Sequence, residues 1–66
     1  MAARDPKSLG SAIAALPAAQ RAAVLEVDVV GQSLARACRR LGLSPAQLMR
    51  CLAEGRRMLA AKLKEH

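Results

Sequence analysis

Apolar residues recur along most of the chain at spacings of three and four, which is the spacing of an amphipathic α-helix. The clearest stripe lies in the last third and consists of Leu48, Cys51, Leu52, Gly55, Met58, Leu59 and Leu63. A shorter stripe precedes it and consists of Leu34, Ala37, Cys38 and Leu41. No segment shows the strict apolar–polar alternation of a half-buried β-strand. The pattern predicts an all-α fold, a small domain of three to four helices.

Residues that start and stop helices divide the first half of the chain into two predicted helices. Ser8 or Ser11 can cap a short helix that ends near Leu16. A longer helix is predicted over residues 17–30, because proline suits the first helical position, where its missing N–H costs nothing. Gly31 ends this helix, since glycine tolerates the left-handed conformation of a helix terminus.

Two further predicted helices follow, joined by a very short link. Ser33 can cap the first of them, and Gly42 fits its end. The residues at 44–47, Ser-Pro-Ala-Gln, match a capping box with proline in the first turn. The last helix is expected to run from this box to about Leu63.

The helix over residues 17–30 differs from the others because it is apolar on two nearly opposite faces. One face consists of Leu16, Gln20, Ala23, Val27 and Val30. The other consists of Ala18, Ala22, Leu25 and Val29. A helix that is apolar on two faces is buried on both. The second face is therefore covered either by the N-terminal helix, through Leu9, Ile13 and Leu16, or by a partner molecule; the sequence favours neither.

Length and composition limit the size of the core. The chain has 66 residues and no Phe, Tyr or Trp, and many of its apolar residues are alanine. Such a chain forms one domain with a thin core. Residues 1–7 are interpreted as a flexible lead, and the domain is predicted over residues 8–66.

The charge of the chain suits a polyanionic partner. Lys and Arg number 11 against 5 Asp and Glu, a net charge of +6, and eight of the basic residues lie between Arg36 and Lys64. A basic surface concentrated in one region is the electrostatic signature of nucleic-acid binding. The longest apolar runs are too short to span a membrane.

Metal, cofactor and enzymatic functions are not expected. The cysteines Cys38 and Cys51 have no CxxC spacing and the one histidine is the terminal His66, which disfavours a zinc site. Both cysteines lie on apolar helix faces, so we expect buried free thiols and a reducing, cytoplasmic compartment. There are no paired carboxylates and no histidine positioned to activate a nucleophile, so no enzyme and no cofactor are predicted.

The short link around Gly42 indicates a helix-turn-helix, in which the second helix enters the major groove of DNA. Side chains near the start of the last helix would then face the bases or the adjoining backbone: Ser44, Ala46, Gln47, Arg50, Ala53 and Glu54. Arginine pairs with guanine, glutamine with adenine, and glutamate accepts from cytosine. Phosphate contacts are expected from Arg36, Arg39, Arg40, Arg57 and Lys64.

The same segments resemble region four of bacterial sigma-70 family factors, most closely the extracytoplasmic-function type. The resemblance rests on LP-x-x-QR at Leu16–Arg21, then an apolar helix, G-x-S, a short helix, LG-x-S and a long helix with RR-x-L. It covers residues 16–63. The resemblance implies a helical DNA-binding domain that recognises the promoter −35 element and docks on the β-flap of RNA polymerase.

The chain departs from the family pattern at positions of both helices of the predicted helix-turn-helix. The family commonly has lysine at Met49 and arginine at Cys51 and Glu54, and a bulky aliphatic residue at Ala37. Region two, which melts the −10 element, has no counterpart in these 66 residues. The chain is therefore expected to be either a fragment or a free-standing region-four protein, and the free-standing form resembles one half of a split sigma factor that acts with polymerase, a co-activator or a second sigma-like subunit.

The sequence is also compatible with two other modes of action. In one, the domain is an interaction module that mimics or sequesters a sigma factor or activator without binding DNA. In the other, the second apolar face of the helix over residues 17–30 forms a homodimer.

Overall fold

The computed structural model describes residues 9–64, which form four helices joined by short turns. The elements are α1 (Leu9–Ala14), α2 (Ala18–Val24) continued by a π-helical turn (Leu25–Val29), α3 (Leu34–Leu41) and α4 (Pro45–Lys64). No strand occurs in this part of the chain. The predicted all-α class with a C-terminal helix-turn-helix is confirmed. The predicted flexible lead at 1–7, the candidate cap Ser8 and residues 65–66 lie outside the described residues.

The N-terminal elements differ from the prediction at their ends. Ser11 lies inside α1, so the prediction that it caps this helix is wrong. The chain leaves the α-helix after Ala14 through a tighter turn, in which the Leu16 N–H donates to the Ile13 carbonyl at 3.1 Å. Pro17 immediately precedes α2 instead of forming its first residue: its ψ of 155° is extended, and its carbonyl accepts from the Arg21 N–H at 2.8 Å.

The second half of the predicted 17–30 helix is wound as a π-helix. The Val30 N–H donates to the carbonyl of Leu25, five residues earlier, at 2.8 Å, which is the π pattern. The segment is rich in valine, whose branched side chain crowds the turns of an α-helix. Gly31 ends the turn with φ of +88°, as predicted, and the Gln32 N–H closes it on the Glu26 carbonyl at 2.9 Å.

The link between α3 and α4 follows the prediction residue by residue. Ser33 Oγ accepts from the Arg36 N–H at 3.1 Å at the start of α3. Gly42 has φ of 69° and ψ of 33°, the left-handed conformation that glycine adopts without cost. Ser44 Oγ accepts from the Gln47 N–H at 3.1 Å, and Gln47 Oε1 accepts from the Ser44 N–H at 2.9 Å. This reciprocal pair is a complete capping box.

The core lies where α2 crosses α4, with α1 and α3 packed beside them. Its buried residues are Ala12, Ile13, Leu16, Ala23, Val24, Ala37, Leu48, Leu52 and Leu59. Gly55 lies at the crossing, as predicted from its place in the apolar stripe: a Cβ added there would be 2.8 Å from Val24 Cγ2. None of the helices within residues 9–64 is long and apolar enough to cross a membrane.

Candidate nucleic-acid interface

The start of α4 presents one face to solvent while its opposite face holds the core. Leu48 and Leu52 are buried beneath it. The exposed residues of its first turns are Pro45, Ala46, Gln47, Met49, Arg50 and Ala53. The turn at Gly42 directs α4 away from α3 at this point, and the capping box fixes its first turn. Gln47 and Arg50 therefore lie on the outside of the domain, as a DNA-binding helix requires.

Gln47 is exposed, but the capping box uses one end of its amide. Its Oε1 atom accepts from the Ser44 N–H, which leaves the Nε2 group as a donor. A bidentate pair with adenine needs both the oxygen and the nitrogen of the amide. The Nε2 group is free to donate, whereas Oε1 has one of its two lone pairs engaged, so Gln47 suits a phosphate or a base acceptor at least as well as the expected adenine pair. Ser44 Oγ likewise accepts the Gln47 N–H, while its hydroxyl hydrogen remains a donor.

Glu54 does not face outward as expected. Its carboxylate Oε1 accepts a hydrogen bond from Gln20 Nε2 of α2 at 2.8 Å, and the side chain is half-buried. The reason is the close crossing at Gly55, which brings the adjoining residue of α4 against α2. The outward placement expected for Glu54 is therefore not found, although its Oε2 atom remains an acceptor and its role towards cytosine stays a prediction.

The arginines of α3 and α4 fall into two groups. One group makes no side-chain hydrogen bond or ion pair to any residue between 9 and 64: Arg36, Arg39, Arg50 and Arg57. All four are exposed. In contrast, Arg40 Nε donates to Glu26 Oε1 at 3.0 Å, although its side chain stays 58% exposed. Arg40 was expected to contact phosphate, and it reaches one only by sharing or breaking this pair.

Arg56 makes the second ion pair to the π-helical turn. Its Nη2 lies 2.6 Å from Asp28 Oδ1, and its Nε donates to Asp28 Oδ2 at 3.0 Å. The hydrogen bond from Arg56 and the attraction of its charge hold the pKa of Asp28 below its usual range, against a smaller opposing effect of burial. The same hydrogen bond raises the pKa of Arg56.

Neither ion pair was predicted from the sequence. The sequence did contain one indication of them: Glu26 and Asp28 are the acidic residues of an otherwise uncharged stretch, and two basic helices follow that stretch. The pairs join residues 14 and 28 positions apart, and their formation depends on the tertiary arrangement.

Lys64, also expected to contact phosphate, is exposed at the end of α4 that lies farthest from the turn.

The second apolar face of α2 is largely uncovered among the described residues. Leu25 and Val29 are 38% and 57% exposed. Ala18 is exposed as well, and Ala22 is half-buried. Ile13 of α1, which could have covered this face, is instead buried in the core. Val30 and Leu34, expected on inward faces, are also exposed and add to the apolar surface at the end of α2.

The cysteines form no site. Cys38 and Cys51 are free thiols, but they are half-buried at the edge of the core and not fully buried as expected. Within residues 9–64 no cluster of His, Cys, Asp or Glu could hold a metal ion.

Comparison with known proteins adds one finding. The family model described as sigma-70, region 4 matches residues 7–59. The matched segment contains α1, α2, α3 and most of α4, including both helices of the interface. No curated protein and no solved structure matches the chain.

Proposed function

Because the chain belongs to the sigma-70 region 4 family, a family of DNA-binding transcription domains, we propose that it is a transcription regulator that recognises promoter DNA of the −35 type. In this proposal α4 enters the major groove and α3 lies across the backbone. The observation that carries it is the left-handed turn at Gly42, which joins α3 to a capped α4 and leaves Arg50 exposed and unpaired among residues 9–64. No enzymatic step is part of this function.

The exposed, unpaired arginines support the proposed phosphate contacts. Arg36, Arg39 and Arg57 are exposed guanidinium groups with no ion pair in the described part of the chain. Such groups bind phosphate and release counterions without breaking an internal contact. Ser44 and Gln47 each keep a donor that suits the adjoining backbone. Arg40 contributes either through its Nη groups while Nε stays on Glu26 or by giving up that pair.

Arg50 is the proposed base contact. It projects from the exposed face of α4 two residues after the buried Leu48. Its guanidinium can donate two hydrogen bonds to O6 and N7 of guanine, a pair worth about 1–3 kcal/mol of discrimination. Glu54, which accepts from Gln20, is left out of the proposed base contacts.

The apolar face of α2 is the proposed contact with a protein partner. Leu25 and Val29 are exposed there beside Ala18 and Ala22. This face fits the core of RNA polymerase or a second sigma-like subunit, with a second copy of the chain as an alternative occupant. Action on promoter DNA together with polymerase places the protein in the cytoplasm, associated with the nucleoid.

A protein-interaction module is the second candidate function. The observation that favours it is the internal neutralisation of Arg40 and Arg56 by acidic residues of the π-helical turn, which reduces the free charge next to the proposed DNA surface. In this version the domain mimics or sequesters a sigma factor or activator and does not bind duplex.

A duplex-binding titration at several salt concentrations separates the two functions. Three phosphate contacts predict a log–log slope of about −2.7, since each contributes about −0.9. Arg39→Ala should make the slope less steep by about 0.9 and weaken all duplexes alike. Arg50→Ala should cost about 1–3 kcal/mol at one base position and leave other positions unchanged. Absence of salt-sensitive binding at micromolar protein would reject DNA binding and favour the interaction module.

A further inference from the structure

The exposed face at the start of α4 is mainly apolar. Met49 is 48% exposed, one residue before Arg50, and the small residues Ala46 and Ala53 are exposed on the same turns. An exposed methionine has a flexible, polarisable side chain that adapts to an apolar partner. Among the exposed residues of these turns, Met49 is the large apolar side chain.

Several long polar side chains of α4 already make a hydrogen bond inside the domain. Gln47 has its amide oxygen engaged with the Ser44 N–H, Glu54 accepts from Gln20, and Arg56 pairs with Asp28. Arg50 is the one long polar side chain of the first turns with no hydrogen bond or ion pair inside residues 9–64. With Gln47 Nε2 and the Ser44 hydroxyl as the other donors near this turn, apolar contacts can add to the recognition provided by Arg50.

The major groove offers one apolar group, the 5-methyl group of thymine, which apolar side chains contact directly. We propose that Met49 contacts the 5-methyl group of a thymine next to the base that Arg50 recognises, and so determines part of the DNA sequence preference. This inference rests on the proposed function, because it requires α4 to lie in the major groove. It makes Met49 a specificity-determining residue, with no hydrogen bond of its own.

The test uses duplexes in which uracil replaces thymine, because uracil lacks only the 5-methyl group. The wild-type chain first selects its preferred duplex from a random pool, and each thymine of that duplex is then replaced in turn. Burial of about one methyl group corresponds to about a four-fold change in affinity. One uracil substitution should weaken the wild-type protein about four-fold and leave Met49→Ala unaffected.

Two variants control the experiment. Met58→Ala removes another exposed methionine of α4, farther from the turn, and should respond to uracil like the wild type. Met49→Leu keeps an apolar side chain and should retain sensitivity to the methyl group. Circular dichroism checks that each variant is folded, as expected for substitutions at exposed positions.

The outcomes separate this inference from the proposed function. If the protein binds duplex in a salt-sensitive way but no uracil substitution weakens it, the role of Met49 is rejected and DNA binding stands. If uracil weakens the wild type and Met49→Ala equally, another residue contacts the methyl group and the assignment to Met49 fails. If no duplex is bound at all, both the proposed function and this inference are rejected.

Discussion

Glu26 and Asp28 each connect the π-helical turn to a different helix of the helix-turn-helix. Glu26 pairs with Arg40 of α3, and Asp28 pairs with Arg56 of α4 through two hydrogen bonds. A single exposed ion pair contributes little stability. These two pairs, however, both start from the π-helical turn and hold it against α3 and α4. They also neutralise two cations that a purely electrostatic view would assign to DNA.

The Asp28–Arg56 pair predicts a pH dependence of stability. Because the folded-state pKa of Asp28 is lowered, the pair stabilises the fold above about pH 4, where an unfolded aspartate is ionised. This contribution is lost as the pH falls through the folded-state pKa. Urea unfolding of the wild type should therefore show a loss of stability on acidification that is smaller in Asp28→Asn. Parallel pH profiles for the two proteins would contradict a stabilising role for the pair.

Contacts between residues close together in the sequence were predicted, whereas a contact between distant residues was not. Ser33, Gly42 and the Ser44–Gln47 capping box were predicted because each involves residues within a few positions of one another. The engagement of Glu54 by Gln20 was not predicted, since the two residues are 34 positions apart. Periodicity places Glu54 near the outward face of α4, and only the position of α2 reveals its partner.

Gly55 lies where α4 crosses α2 in close contact. Gly55 has no side chain, and Val24 of α2 lies against it, with Gln20 alongside. Sequence periodicity predicted this contact, because glycine in the middle of an apolar stripe costs helix stability unless a neighbour needs the space. The π winding of Leu25–Val29 was not predicted, because valine is a weak α-helix former but its presence alone does not distinguish a π turn from a frayed helix end.

Substitution of Gly55 tests the crossing. Gly55→Ala would gain about 1 kcal/mol of intrinsic helix propensity. The added Cβ, however, would lie 2.8 Å from Val24 Cγ2, and a buried valine in a helix has essentially one favourable rotamer. Overpacking of this kind costs about 1–3 kcal/mol, so we expect a net loss of stability, measured by thermal or urea unfolding.

A second substitution checks the cause of that loss. In Val24→Ala the clash is absent, so Gly55→Ala should be less harmful, or even stabilising, in the double variant. A higher melting temperature for Gly55→Ala in the wild-type background would contradict the close approach.

Residues 9–64 present a basic surface and an apolar surface on different elements. The basic surface belongs to α3 and α4, through Arg36, Arg39, Arg50 and Arg57. The apolar surface belongs to α2 and the π-helical turn. Both sets of residues were predicted from the sequence. Whether α1 covers the apolar surface was left open, because that depends on how the helices pack. Since the surfaces use different residues, we expect DNA binding and partner binding to be separable.

Leu25→Asp tests this separation. A charge at an exposed apolar position should abolish co-purification with RNA polymerase core while leaving the melting temperature nearly unchanged, since exposed substitutions usually alter stability by less than about 0.5 kcal/mol. Leu9→Asp is the matched control, because Leu9 is also exposed but lies on α1. The two variants have equal net charge, so their duplex affinities should match. Unchanged co-purification of Leu25→Asp would remove α2 as the docking face.

The π-helical turn also affects how this chain should be aligned with its relatives. A π turn holds about one residue more than an α turn of similar length, so a relative that is α-helical throughout needs one residue fewer between Val24 and Gly31. An ungapped alignment across Leu25–Val29 would then shift either α2 or the helix-turn-helix by one position. Equivalent positions should therefore be assigned separately on the two sides of this turn.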